Sequence, residues 1–188
     1  MGMTMRKLFA LIFVIFLGQI ALAQTPRVEV FGGYSYLHEP GLNLNGWNGS
    51  ATFNLNRCVG ITADFSGHYW STSLNAPLVG ALEIRNRVHS YTFGPTVSLR
   101  NQTRFTPFVR LLAGGSHLTF AGTVASSTGS ASEDHFTVVG GGGFDVALNR
   151  RIAVRPVQLD YHGVRFSPGW MNSMRYSAGV VFRLGEKK

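Results

Sequence analysis

Hydrophobic and polar positions between His135 and Phe166 alternate with the two-residue period of a strand. Phe136, Val138, Phe144, Val146 and Leu148 share one face, with Gly140 and Gly142 between them. Thr137, Gly141, Gly143, Asp145 and Ala147 share the other, where Val139 is the bulky apolar exception. Asn149-Arg150-Arg151 reads as a short polar turn, and a second arm returns from Ile152. Its alternation breaks at Arg155-Pro156, and proline, which cannot donate to a ladder, is tolerated at bulges. One bulged residue there puts Ile152, Val154, Val157, Leu159 and Tyr161 on one side. Arg155, Gln158, Asp160 and His162 then line the other. The expected element is a long hairpin with one greasy face and one charged face.

The same alternation recurs along the chain. Strands are expected over residues 28–37, 46–55, 58–69, 88–99, 104–117 and 173–184, besides the two arms of the hairpin. In the fifth, Phe108 and Leu112 interrupt the polar face that Arg110, Gly114 and Ser116 define. Between strands lie Asn56-Arg57 and residues 100–103, both short and polar. Residues 38–46, 70–87, 118–134 and 162–172 read as longer connections, the Ser/Thr/Gly-rich 118–134 as a mobile loop, and in 70–87 the more apolar half from Leu78 to Ile84 is expected either to extend the fourth strand or to form a small cap. Long and short connections therefore alternate. Eight strands of about ten residues, an even number, match the length a tilted membrane-crossing strand needs. Short periplasmic turns and longer extracellular loops are the pattern of an outer-membrane barrel, which a water-soluble sandwich has no reason to keep. Trp47, Tyr69, Trp70, Tyr91 and Trp170 fall at the long-loop end, where an aromatic girdle belongs. The fold class expected is all-β: a closed eight-stranded antiparallel transmembrane β-barrel.

The first residues bear on the compartment. Arg6 and Lys7 precede an apolar run from Leu8 to Leu17, and Ala21-Leu22-Ala23 is a small-x-small cleavage site. This is the form of a secretory signal peptide, and the run is too short for a membrane anchor. Residues 1–23 are expected as signal peptide and 24–188 as the barrel domain. Taking Arg6 and Lys7 from 17 basic residues leaves 15 against 9 acidic ones, a net charge of +6. The basic residues are scattered, without the stripe that nucleic acid requires. Cys58 is alone, which excludes an internal disulfide. An exported chain with no helical span can still cross a membrane as a closed barrel.

Three segments carry a family resemblance: Phe31-Gly32-Gly33-Tyr34-Ser35-Tyr36, then Pro107-Phe108-Val109 with Ala113-Gly114-Gly115, then Tyr176 to Phe182. With them, residues 24–184 resemble the bacterial eight-stranded outer-membrane β-barrel family, related to the membrane domain of outer membrane protein A (OmpA/OmpX-like). The resemblance implies an outer-membrane location in a Gram-negative-type bacterium and no enzymatic activity. Outer-membrane lipid, lipopolysaccharide and the barrel-assembly machinery are the implied partners, and no cofactor is expected.

Candidate sites follow from parity. Glu29, Asp64, Asp145 and Asp160 face inward with Arg110, Arg155, Arg175 and Arg183. Eight strands enclose an interior that side chains fill, and buried charges there must pair. A salt-bridged plug is expected, with a narrow gated pore as the competing reading. Six histidines, at 38, 68, 89, 117, 135 and 162, are expected as solvated rim and loop residues rather than metal ligands. Asp64, Ser66 and His68 share one face of the third strand, the residue types of a hydrolase. Strand neighbours two apart are about 7 Å apart, which weighs against a triad. The loops, 118–134 above all, are candidates for an adhesin or interaction role.

Overall fold

The structure is a computed structural model describing residues 25–39, 41–76, 80–101, 103–124, 127–166 and 169–186. Residues 1–23, the segment expected as a signal peptide, lie outside the described residues. Eight strands form one sheet: β1 (Pro26–Glu39), β2 (Leu42–Asn54), β3 (Val59–Ala76), β4 (Gly80–Ser98), β5 (Phe105–Val124), β6 (Ser127–Ala147), β7 (Ile152–Arg165) and β8 (Trp170–Glu186). Each pairs antiparallel with its neighbours, and β1 pairs with β8 to close the barrel. Closure leaves no open edge around the barrel wall.

Alternation sets the two surfaces. Tyr34, Phe65, Phe93, Val109, Leu111, Leu159 and Phe182 face outward and exposed, while Asp64, Arg110, Asp160 and Arg175 face inward and buried. An apolar outside around an ionic inside is the pattern of a membrane-spanning barrel. Trp47, Tyr69, Tyr91 and Trp170 lie exposed on the outer wall toward one end. In β5, Phe108 and Leu112 are interior residues beside Arg110, so the strand keeps strict parity and its inner face is mixed. The expected bulge is present. Between Val154 and Val157, β7 spends three steps where β6 spends two, and Pro156 and Val157 both face outward.

The loop expectations are corrected. Residues 38–46 are mostly strand, with a turn at Gly41, whose φ of 84° suits glycine. Of residues 162–172, those to Arg165 continue β7 and those from Trp170 open β8. In segment 70–87 the fourth strand is extended, one of the two expected outcomes, and the third is extended with it: β3 and β4 pair from Trp70↔Asn86 to Ala76↔Gly80. Segment 118–134 extends β5 and β6, paired from Leu118↔Glu133 to Val124↔Ser127. The connections are therefore short at both ends; what differs is strand length. β4 and β5 stay paired as far as Leu82↔Val124, so β3 to β6 continue as one four-stranded sheet beyond the barrel. Beyond the wall, residues 129–134 of β6 are exposed on both faces, so the alternation disappears there while the backbone pairing persists.

Candidate functional site: the charged interior

Inward-facing side chains stack in tiers along the bore. At the short-turn end, Glu29 on β1 sits opposite Arg183 on β8, as the closing register requires. Arg183 Nε donates to Glu29 Oε1 at 3.2 Å, and Arg100 Nη2 donates to Glu29 Oε2. Asn54 Nδ2 also reaches Glu29 Oε2, at 3.2 Å. Arg100 was not expected inside; its place in a short polar turn hid a side chain that folds back into the bore.

The next tier is the pair Arg155 and Asp145. Two parallel bonds, 2.7 and 3.0 Å, join the guanidinium to the carboxylate, and Arg155 Nη1 donates to Gln158 Oε1 at 2.7 Å. Phe31 and Phe108 hold the guanidinium between their rings, 4.6 and 4.1 Å from their centroids. That contact favours the cation in a dry site. It also accounts for two phenylalanines on a lumen face. A void of about 10 Å³ between this tier and the next has room for about one water.

The central tier crosses the bore. Arg110 on β5 donates to Asp160 on β7 through Nε (2.9 Å) and Nη2 (2.7 Å), and to Asp64 on β3 through Nη1 (2.9 Å). Arg175 on β8 donates to Asp64 at 3.0 Å and to Asp160 at 2.9 and 3.1 Å. Asn48 bonds Asp64, and Gln158 bonds both Asp160 and Asn48. Two carboxylates thus meet two guanidiniums, and Asp160 and Arg175 are wholly buried. Gly141 makes room for this tier: a Cβ there would collide with Leu159 O and the Asp160 carboxylate.

Beyond the central tier the interior is hydroxylic, then apolar. Ser90, Ser116 and Thr137 form a chain at 2.8 and 2.7 Å. Leu37, Leu44, Leu118 and Val164 are buried beyond it. His68 and His162 are buried within the bore at 1% and 4% exposure, which corrects their expected place on a solvated rim. His38, His89, His117 and His135 are not buried, and each contacts a polar neighbour: Asn43, Tyr69, Asp134 and Glu133 respectively. Among the described residues, no group of His, Cys, Asp and Glu is placed to hold a metal ion. Asp64, Ser66 and His68 share the lumen face of β3 but do not bond to one another. His68 Nε2 lies 2.9 Å from Ser35 Oγ, Asp64 is held by the arginines and Asn48, and Ser66 Oγ has no protein partner.

No protein-family model matches the chain. A search of curated proteins finds no match either. Solved structures do match. The attachment invasion locus protein Ail of Yersinia pestis is 16% identical over 84% of this chain and 99% of its own, with a TM-score of 0.58. The outer membrane protein OprG of Pseudomonas aeruginosa is 13% identical over 86% of this chain and 97% of its own, with a TM-score of 0.57. Ail in complex with the heparin analogue sucrose octasulfate matches at 16% identity and a TM-score of 0.55, covering 86% of this chain and all of that one. The likeness is one of fold: a closed eight-stranded barrel.

Proposed function

We propose that the chain is a small, non-enzymatic outer-membrane barrel whose bore is shut and whose work is done outside the membrane by the extended sheet. In this reading the termini and short turns face the periplasm, and the free sheet stands outside the cell. Lipid and lipopolysaccharide surround the wall, and the barrel-assembly machinery inserts it. The carrying observation is the β3–β6 sheet. Its outer strands, Trp70–Ala76 of β3 and Ser127–Asp134 of β6, are paired on one side only. Such an edge is a template for an added strand from another polypeptide. Ail and OprG share the barrel and are proteins of attachment and of the outer membrane by name, which agrees with a surface role. The interior chemistry favours structure over catalysis, since the candidate Ser, His and Asp groups are buried, His68 and Asp64 are bonded elsewhere and Ser66 bonds to neither.

The test removes the sheet and keeps the barrel. Residues 72–83 and 120–131 are replaced by short turns, and cells displaying either form are scored for adhesion to immobilised matrix proteins. Retention by the full-length form and loss by the trimmed form, with unchanged heat-modified gel mobility, is expected. Equal retention by both forms refutes the surface role. Planar-bilayer recording tests the shut bore: a stable, large, ohmic channel refutes it.

A further inference from the structure

The mouth of the barrel beside Pro26 and Gly185 holds a cavity of about 670 Å³. Arg100, Arg104, Arg150, Arg151 and Arg183 line it, and among the described side chains no carboxylate does. They arrive from three places: the β4–β5 connection, the β6–β7 turn and the end of β8. The nearest carboxylate in the bonding network, Glu29, lies beneath and is shared by Arg100 and Arg183. In the central tier two guanidiniums answer two carboxylates; here, among the described side chains, five answer one.

Two buried nitrogens mark the imbalance. The Arg100 side chain is only 6% exposed, yet its Nε has no protein partner. The Nη2 of Arg183 is also buried without one. A buried cationic donor left unmatched is costly, and guanidiniums converging on one space repel. An anion there relieves both. Guanidinium forks approaching from three sides call for anionic oxygens pointing in several directions, which a tetrahedral phosphate has and a planar carboxylate lacks. The volume lies within the range of small-molecule sites.

We propose that this mouth is a binding site for a phosphate ester, carried by a phospholipid headgroup or by a soluble phosphorylated compound. Its placement on the periplasmic side rests on the orientation proposed above. The binding does not, because both mouths are open to solvent in a detergent micelle.

The test titrates inorganic pyrophosphate into the refolded mature chain in dodecyl maltoside micelles, which carry no phosphate, and follows the arginine Nε–H signals by NMR. A saturable shift of the Arg100 signal is expected. The double variant Arg150→Ser/Arg151→Ser, altered only in an exposed turn, should weaken it by about tenfold or more. Arg165→Ser, at the opposite mouth, should leave it unchanged. No saturable shift, or an equal loss in Arg165→Ser, overturns the site. Micelles doped with phosphatidylglycerol then separate the sources. A fall in pyrophosphate affinity that the double variant does not share assigns the site to lipid headgroups, and no fall assigns it to soluble phosphate.

Discussion

Strands β3 to β6 each run through two worlds. In the wall, Phe105, Val109 and Leu111 of β5 face out while Thr106, Arg110 and Leu112 face in. Beyond Leu118 the same strand reads Thr119-Phe120-Ala121-Gly122-Thr123, with no preferred side. The pairing of β5 with β6 is unbroken through both halves. Hydrogen bonding therefore makes the strand, and the contrast between two environments makes the pattern. A barrel wall between lipid and an ionic bore has the strongest contrast available; a sheet in water has nearly none.

Paired substitutions sharpen that comparison. The largest effect is expected in the bore. Asp160→Ala removes an acceptor from both Arg110 and Arg175 and should destabilise the barrel by about 3–5 kcal/mol, read by urea unfolding in detergent. Glu133→Ala, exposed on the sheet, should change it by less than about 0.5 kcal/mol. On the outer surface, Phe144→Arg in the wall should cost about 2–4 kcal/mol when folded into lipid. Phe120→Arg, beyond the wall, should cost close to nothing in the same assay. Equal costs for the two would move the membrane boundary to include the sheet.

Glycine gives a smaller contrast. Gly141→Ala must displace Asp160 or its backbone and should cost about 1–3 kcal/mol. A Cβ at Gly122 meets nothing within 4 Å, so Gly122→Ala should be neutral or stabilise by about 0.5–1 kcal/mol. The smallest effect is on folding and the clearest on topology. In a Cys58→Ser background, Ser130→Cys should label from outside intact cells and Asn149→Cys should not. Labelling of Asn149→Cys alone inverts the barrel.

This division also explains what could be read from the residues alone. Strand β2 was plain because Trp47, Ala51 and Phe53 alternate with Asn48, Ser50 and Thr52. The inward charges were legible by parity, and so was the interruption at Pro156. The extensions were not, because a Ser/Thr/Gly-rich hairpin with two wet faces looks like a loop. Arg100 was hidden because a turn has no parity, and only the fold brings it to Glu29. The girdle end misled for His68 and His162. Nearness to the rim along the strand says little about which way a side chain points, whereas their even-numbered parity with Asp64 and Asp160 placed them inside.

Pro156 has a consequence for how this chain tolerates length change. Remove one residue from a regular barrel strand and everything beyond it turns inside out. Here Pro156 and Val157 stand side by side on the outer face, so the chain carries one surplus count. Excising Pro156 alone would leave Arg155, Gln158, Asp160 and His162 all pointing inward, in perfect alternation. The bulge is thus a spare beat in the rhythm of β7: the point where the strand can be shortened by one residue without trading its ions for its oils.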